Sequence, residues 1–287
     1  MSFRLVLPRG RPAPVVVEVP HAGLRIPESV SKEIQCDPRD VLRDADAYVD
    51  ELFSGSHESG ATLLVADVSR FVVDLNREDD DVDALTVPEI CPQKPCRHGS
   101  HGLCNHAPRG LIWRESTEGK ELLRAPLDLA AFNHRMNAFY RPYHSALEQR
   151  ARELRAIFGY VIILSAHSMP AYGRGPDGTR TRRADVVPGT RGQTTAHPSL
   201  INLLDAHFRT AGLSVRHDDP YRGGATTARW GRVREGFHAM QVELNRALYM
   251  DEGSLVRKRD GMQWLSRLCN DLVLRLCNVD AREQLAP

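Results

Sequence analysis

Short apolar runs rich in β-branched residues recur along the chain, and they predict the strands of its fold. Val15–Val19 and Tyr160–Ser165 are the clearest, because almost every residue in them is apolar. Runs of this length and composition are typical of strands buried on both faces of a parallel sheet. Further strands are predicted at Thr62–Ala66, Phe71–Leu75, Ala184–Val187, Ser214–His217 and His238–Leu244.

Between these strands lie segments whose apolar residues recur at helical spacing. They predict helices over Asp40–His57, Leu127–Phe158, Ser199–Gly212 and Trp264–Leu276. Pro142 lacks a backbone N–H and should kink or divide the longest of them. Because strands and helices alternate without a repeat or a linker, we expect one α/β domain over residues 1–287. Its sheet should be mixed but largely parallel and flanked by helices.

Two segments carry neither pattern and are predicted to be loops. Residues 78–109 are acidic at first and then rich in proline, cysteine, histidine and glycine, and a loop of this length is usually functional or mobile. We interpret it as a flap that covers a site. The cysteines and histidines of residues 91–106 also allow a second, structural zinc, although their spacing is not a standard zinc pattern. The second loop is Gly173–Arg183, which is glycine-rich and basic.

Composition narrows the range of functions. The formal net charge is +1, so nothing in the charge balance favours nucleic acid or an anionic membrane surface as a partner. No apolar stretch approaches the ~18 residues of a membrane span, and the first residues do not resemble a signal peptide. Six cysteines in 287 residues do not form a small disulfide framework. We therefore expect a soluble, cytoplasmic protein.

Two histidines stand just beyond predicted strands, His21 after Val15–Val19 and His167 after Tyr160–Ser165. In open α/β sheets, ligands bind where the carboxyl ends of the strands open into a crevice. Neutral imidazole is the commonest protein ligand for zinc. Either histidine alone could be a loop residue bonded to the backbone, but the pair predicts a catalytic metal.

A second group of candidate residues follows the predicted strand Phe71–Leu75. Arg77 offers a rigid donor fork that suits a substrate carboxylate, and Asn76 can add donors to the same group. Arg70, which precedes the strand, could point at a carbonyl oxygen. The alternative for Arg77 is a structural ion pair with Asp74.

Glu243 is a candidate general base. Apolar and polar residues alternate in the predicted strand His238–Leu244, so Glu243 and Gln241 face the side opposite to the apolar residues. A buried carboxylate is costly unless it has a partner or a function. Beside zinc, Glu243 could accept a proton from water and deliver it to a leaving amine. The alternative is a buried structural salt bridge.

Taken in order, these segments and several others resemble the N-formylglutamate amidohydrolase family. The matching residues extend over most of the chain and are Pro20–Gly23, Asp44–Asp46, Ser69–Arg70, Asp74–Arg77, Ala166–Ser168 and Gln241–Met250. The resemblance implies a zinc-carboxypeptidase-like (phosphorylase/hydrolase-like) α/β fold, shared with deacylases such as aspartoacylase. It also implies hydrolysis of N-formyl-L-glutamate to formate and glutamate, the last step of one route of histidine degradation.

The resemblance also implies a role for each matching residue. His21 and His167 become ligands of one catalytic zinc ion, and Glu243 becomes the general base and acid. Arg70 becomes the oxyanion stabiliser, while Asn76 and Arg77 hold a substrate carboxylate.

The third zinc ligand is a carboxylate near the start of the segment that follows the first strand. Zinc hydrolases commonly use two histidines and a carboxylate and leave one position open for water. Asp44 and Asp46 both qualify. We prefer Asp46, and in that case Asp44 would support a ligand from behind.

The chain departs from the family pattern between Tyr221 and Gly231. The family usually has an aromatic residue where Ala225 stands and an arginine where Ala228 stands, while Arg229 comes one place late. We therefore take Arg222 and Arg229 as substrate-binding candidates, and expect that the wall recognising the acid could differ from the family's.

Three functions remain open from the sequence. The default is a zinc-dependent amidase acting on an N-acyl amino acid, with N-formyl-L-glutamate as substrate. The same chemistry on another acyl group or amide is a near alternative, and a catalytically silent zinc- or ligand-binding protein is a distant one. Glu243 favours an enzyme, because a binding protein has no use for a buried base opposite a metal. The oligomeric state stays open.

Overall fold

A six-stranded sheet organises the protein, whose computed structural model describes residues 2–90, 108–174 and 178–280. In spatial order its strands are β1 (Phe3–Val6), β3 (Thr62–Ala66), β2 (Val15–Val19), β4 (Val161–Met169), β8 (Phe237–Asn245) and β7 (Val186–Gly189). Strands β2, β4 and β8 run parallel, whereas β7 pairs with β8 in the antiparallel sense. The prediction of an α/β fold with a mixed, largely parallel sheet is therefore confirmed.

The remaining elements are helices and short hairpins. The α-helices are α1 (Glu28–Ser31), α2 (Pro38–Asp44), α3 (Val49–Leu52), α4 (Leu129–Arg135), α5 (Arg141–Phe158), α6 (Pro198–Thr210), α7 (Ala225–Trp230) and α8 (Arg259–Cys277). Two antiparallel pairs join β5 (Tyr172–Arg174) to β6 (Arg180–Arg182) and β9 (Met250–Asp251) to β10 (Val256–Arg257). Within the described ranges, none of the helices combines the length and apolarity needed to cross a bilayer.

The chain divides into two compact units. The first comprises residues 1–4, 20–47 and 65–148, and it holds α1, α2, α4 and the irregular segments that follow β2 and β3. The second comprises residues 5–19, 48–64 and 149–287, and it holds β2, β4, β7 and β8 complete. Every residue of these four strands is buried, and the apolar run of β2 is typical of a strand covered on both faces. A single domain over residues 1–287 stays a prediction.

The long predicted helix Leu127–Phe158 is divided, as Pro142 suggested. It consists of α4, a π-helical turn over Met136–Tyr140, and α5. Proline has no N–H to donate to the preceding turn, and a π-helical turn accommodates such a break in the hydrogen-bond ladder. The predicted helices Ser199–Gly212 and Trp264–Leu276 correspond to α6 and to a longer α8.

The prediction of one helix over Asp40–His57 is wrong. α2 ends at Asp44, Ala45 is extended, and Tyr48 takes a left-handed conformation with φ of 66° before α3 begins. The N–H of Asp46 bonds the carbonyl of His21 at 2.9 Å instead of a helical partner. A tertiary hydrogen bond thus overrides local helical propensity and fixes the position of Asp46.

The prediction of a strand over Phe71–Leu75 is also wrong. Its apolar residues are buried, but its backbone forms turns. The Ser69 hydroxyl accepts from the N–H of Phe71 at 3.2 Å, and the Asp74 carboxylate accepts from the N–H of Asn76 at 2.9 Å. Such side-chain bonds to nearby backbone groups compete with a strand ladder.

Two shorter predictions also differ from the structure. Ser214–His217 forms only one isolated bridge, between Val215 and Val186, rather than a strand. The predicted loop Gly173–Arg183 contains the hairpin of β5 and β6, on either side of residues 175–177. The possible second zinc site at residues 91–106, and most of the predicted flap, lie outside the described residues.

Candidate active site

His21 lies just beyond the end of β2, buried, with both ring nitrogens facing carboxylates. Its Nε2 lies 2.7 Å from Oδ1 of Asp74, and its Nδ1 lies 3.5 Å from Oδ2 of Asp46. Burial and the charge of Arg70 lower the pKa of His21, but the carboxylates of Asp74 and Asp46 outweigh them and raise it overall. Because Asp74 is the nearer acceptor, Nε2 carries a proton toward it and Nδ1 faces Asp46.

Asp74 is the centre of a buried hydrogen-bond network. Besides His21, it accepts from Nη2 of Arg70 at 2.8 Å, from Nε1 of Trp113 at 3.0 Å and from the N–H of Asn76. Burial alone would raise the pKa of Asp74, but Arg70 and His21 hold it well below its usual range. An ionised carboxylate behind a histidine fixes the orientation and tautomer of the ring.

Arg77 is not the ion-pair partner of Asp74 that the sequence allowed. Its Nη1 lies 3.6 Å from Oδ2 of Asp81, while Asp74 pairs with Arg70. The hydroxyl of Tyr140, in the π-helical turn, donates to the backbone carbonyl of Arg77 at 2.8 Å. The backbone at Arg77 is therefore held, while its side chain makes a long pair at a partly exposed position.

The Arg70 guanidinium is largely buried and lies 4.4 Å from the centre of the Trp113 ring. Its Nη1 lies 3.5 Å from the carbonyl of Asp44, and its Nε has no hydrogen-bond partner among the described residues. A buried donor without a partner costs free energy. Arg70 therefore has donor capacity available for a substrate oxygen.

Asp44 and Asp46 are both buried but differ in their contacts. The Asp44 carboxylate accepts from the N–H of Thr117 at 2.9 Å and from the Thr117 hydroxyl, so both of its oxygens are engaged. The Asp46 carboxylate faces His21. These contacts favour Asp46 over Asp44 as a metal ligand.

His167 lies inside β4, because the strand extends to Met169 rather than ending at Ser165. In the parallel pairing of β4 with β8, His167 is the register partner of Glu243. Register partners in adjacent parallel strands project to the same face of a sheet. His167 and Glu243 are thus side by side on one face, and the side chains of both are buried.

Glu243 is held from its own strand. Nε2 of Gln241 donates to Oε1 of Glu243 at 2.8 Å, while Oε1 of Gln241 accepts from the N–H of Gly224 at 2.9 Å. The orientation of the glutamate therefore depends on the Gly223–Gly224 turn that precedes α7. Gly223 has φ of +100°, and a Cβ there would approach a side-chain carbon of Thr227 to 2.9 Å, so the turn requires glycine.

Three of the predicted residues form a group that could hold a metal ion. The ligand atoms of His21, Asp46 and His167 all lie within 4.8 Å of one another, and all three residues are buried. Two imidazoles and one carboxylate are a common donor set for catalytic zinc, which binds such ligands at about 2.0–2.2 Å. The residues therefore fit a zinc ion.

The remaining substrate-binding candidates lie on irregular segments or on α7. Asn76 is buried in the turn after Asp74. Arg222 is exposed and precedes the two glycines, and its carbonyl accepts from the N–H of Arg191. Arg229 is half-buried within α7.

The sequence did not reveal the residues that support the site, such as Asp74 and Gln241, as well as it revealed the candidate ligands and the candidate base. Asp74 was treated as a partner of Arg77, and Gln241 was noticed only for the face it occupies. A lone acidic or amide residue within an apolar run is the signal that could have identified both. The role of Trp113 had no such signal, because its partner is distant in sequence.

Comparisons with known proteins show the family to which this chain is similar. The family model for N-formylglutamate amidohydrolase matches residues 13–250. The N-formylglutamate deformylase of Pseudomonas aeruginosa is 31% identical, with 88% of this chain and 86% of that protein covered. The N-formylglutamate deformylase of Pseudomonas putida is 30% identical, and the corresponding shares are 83% and 82%.

Solved structures give the same result. The crystal structure of N-formylglutamate amidohydrolase from Ralstonia eutropha has a TM-score of 0.86 at 32% identity, covering 96% of this chain and 97% of that one. A gene product of Agrobacterium tumefaciens has a TM-score of 0.64 at 20% identity, covering 94% of each chain, and this likeness shows the fold alone.

The fold and these matches define a hydrolase that acts on an amide C–N bond, as the sequence predicted. More narrowly, the chain belongs to the N-formylglutamate amidohydrolase family.

Proposed function

We propose that the protein hydrolyses N-formyl-L-glutamate to formate and L-glutamate, using one zinc ion held by His21, Asp46 and His167. The relatives named N-formylglutamate deformylase support the substrate. The observation that carries the mechanism is the buried group of two imidazoles and a carboxylate, with Glu243 in register beside His167. We also propose that the enzyme is cytoplasmic and that it acts in histidine degradation, as expected from the sequence.

A zinc ion at this group supplies Lewis acidity, which polarises a carbonyl and makes water easier to deprotonate. Glu243 takes a proton from the water that attacks the formyl carbon. As the C–N bond breaks, Glu243 returns that proton to the departing amine nitrogen of glutamate. Gln241 keeps the carboxylate aimed while it changes its protonation state.

Arg70 stabilises the negative charge that develops on the formyl oxygen. Its guanidinium is held by Asp74 and Trp113, so little reorganisation is needed when the charge appears. The Nε donor that lacks a partner among the described residues supports this role.

Asn76 and Arg77 hold a carboxylate of the substrate. Arg222 and Arg229, which lie in the segment between Tyr221 and Gly231, also contribute to substrate binding. The pair between Arg77 and Asp81 is long and partly exposed, so a substrate carboxylate can replace it at small cost. A bidentate arginine–carboxylate contact then gives both charge and orientation.

A second candidate is the same reaction on a different N-acyl amino acid. Alanines at positions 225 and 228, where the family usually has an aromatic residue and an arginine, favour this possibility. A silent binding protein is disfavoured by Glu243, whose burial is costly without a function.

Metal analysis combined with formate release tests the proposal. The purified protein should contain one zinc per chain and release formate from N-formyl-L-glutamate faster than from a panel of other N-acyl amino acids. His21→Ala and His167→Ala should each lose stoichiometric zinc, whereas His134→Ala, an exposed control near Ser29, should keep it. Full zinc occupancy in either ligand variant would remove that residue from the site, and a preferred substrate other than N-formyl-L-glutamate would establish the second candidate.

A further inference from the structure

A buried chain of hydrogen bonds runs from His167 into the sheet. Nε2 of His167 lies 3.0 Å from the Ser165 hydroxyl, which donates to Oε1 of Glu18 at 3.1 Å. The Thr226 hydroxyl, from α7, donates to the same oxygen at 2.8 Å. Ser165 and Glu18 are register partners in β4 and β2, and the side chains of all these residues are buried.

Glu18 is unusual for its place in the fold. It is fully buried within β2, between Val17 and Val19. A buried carboxylate is costly unless its oxygens are hydrogen-bonded, and an apolar residue of similar volume is often as stable or more stable at such a position. Packing alone therefore gives no reason for a glutamate here.

With Glu18 ionised, counting protons along this chain assigns the tautomer of His167. A serine hydroxyl has one proton to donate, and Ser165 donates it to Glu18. Toward His167 the hydroxyl can then only accept, so Nε2 must carry the ring proton. Nδ1 of a neutral His167 is left with a lone pair, which is the form that a metal ligand requires.

The Nε2 of His21 is supported by a different route. Its Nε2 faces the Asp74 carboxylate, and its Nδ1 faces Asp46. Both histidines of the candidate metal group thus have Nε2 bonded to the protein. The support is a direct carboxylate for His21 and a hydroxyl backed by a carboxylate for His167.

We infer that Ser165 and Glu18 are positioning residues that keep His167 in the Nε2–H tautomer and thereby set the affinity of the site for zinc. The inference rests on the metal site proposed above. Supporting residues behind a metal-bound histidine commonly change metal affinity on the order of 10–100-fold. Thr226 orients Glu18 and extends the chain to α7.

The tautomer is tested on the metal-free protein by NMR of ¹⁵N-labelled histidine, with the His167 signals assigned from their loss in His167→Asn. The wild type should show protonated Nε2. Glu18→Gln keeps an acceptor oxygen for Ser165 and should keep this tautomer. Glu18→Met has similar volume but no acceptor, so Ser165 should donate to His167 instead and shift the ring toward protonated Nδ1.

Zinc affinity is tested by competition with a chelator. Ser165→Ala should weaken zinc binding on the order of 10–100-fold. Ser56→Ala is the matched control, because Ser56 is equally buried but its hydroxyl bonds, among the described residues, only the carbonyl of Phe53. A purely structural role for Ser165 would lower the melting temperature of both variants and leave the affinity of both unchanged.

The outcomes separate this inference from the proposed function. Protonated Nδ1 in the wild type, or no tautomer change in a folded Glu18→Met protein, would overturn it. Should Glu18→Met fail to fold, unchanged zinc affinity in Ser165→Ala would overturn it equally. A wild-type protein that binds no zinc would instead contradict the proposed function, while the tautomer of the metal-free protein would still be readable.

Discussion

Glu243 is the residue on which the proposed chemistry depends most directly. Glu243→Gln keeps the shape and the contact with Gln241 but cannot accept a proton. Because general acid–base catalysis contributes on the order of 10²–10⁴-fold, we expect kcat on N-formyl-L-glutamate to fall by about that factor. Steady-state kinetics measure the loss, and zinc content and melting temperature should match the wild type. A kcat close to the wild-type value would make Glu243 a structural residue.

Arg77 tests the recognition of the substrate. Arg77→Lys keeps the charge but loses the bidentate fork, and a charge-assisted hydrogen bond contributes roughly 1.5–3 kcal/mol. KM for acidic substrates should therefore rise by about one to two orders of magnitude with kcat unchanged, provided that KM approximates Kd.

The melting temperature of Arg77→Lys distinguishes substrate binding from a structural role of Arg77. The only ion pair of the Arg77 side chain with a described residue is the long one with Asp81, so the melting temperature should change little. Arg77→Lys protein that melts early but keeps its KM would identify a structural arginine and end the substrate-clamp hypothesis.

At the scale of single residues, the sequence predicted the centre of the site better than its support. His21, Asp46 and His167 were proposed as a group, and the structure brings their ligand atoms together. Their role as ligands stays a prediction. The partner of Asp74 could not be predicted, because Arg70 and Arg77 flank it almost symmetrically in sequence and only the turn geometry decides between them.

Among the elements, the segment from His21 to Arg25 depends on a close backbone approach. A Cβ on Gly23 would lie 2.5 Å from both the carbonyl carbon of Asp67 and the carbonyl oxygen of Val68. Backbone atoms cannot give way as a flexible side chain can, so Gly23→Ala should cost at least the roughly 1–3 kcal/mol typical of overpacking.

Denaturant unfolding of Gly23→Ala measures this cost, and zinc affinity should fall with it because His21 lies two residues away. Gly10→Ala is the matched control, since nothing lies within 4 Å of the added Cβ there. Equal stability of the two variants would show that the segment has more freedom than its contacts indicate.

The strands of the sheet core were predictable, whereas two irregular segments that carry other site residues were not. β2 and β3 have the predicted bounds, since an apolar β-branched run has few alternatives to a buried strand. The predictions failed for two segments whose local patterns are misleading. The apolar spacing of Asp40–His57 is that of a helix, and the composition of Phe71–Leu75 is that of a strand. Hydrogen bonds to distant or side-chain partners, such as that from the N–H of Asp46 to the carbonyl of His21, determine the backbone conformation of these segments instead.

For the molecule as a whole, His238 predicts a dependence of stability on pH. Its Nδ1 accepts from the N–H of His197 at 3.2 Å, and burial, with the nearby His197, lowers the pKa of His238 from 6.5 to about 4. The unfolded chain therefore binds more protons between these values. Folding stability from this group is present above pH 6.5 and is lost as the pH falls toward about 4.

At 1.36 kcal/mol per pKa unit, the loss amounts to roughly 3 kcal/mol. His238→Asn keeps an acceptor for His197 but does not titrate in this range, so its free energy of unfolding should fall less between pH 7 and pH 4.5. Denaturant titrations at several pH values measure the difference, with His57→Asn as a control at a partly exposed histidine. Parallel pH curves for wild type and His238→Asn would contradict the assignment.

The hydrogen bonds from Gly224 through Gln241 to Glu243 have a consequence for attempts to redesign the enzyme. The segment from Tyr221 to Arg229 is the natural target for exchanging specificity, because it carries the substrate-binding candidates Arg222 and Arg229. Yet the N–H of Gly224, within that segment, supports the side chain that aims Glu243. A graft that moves this turn would alter turnover together with substrate choice, so an engineered variant should keep both glycines and vary only the positions around them.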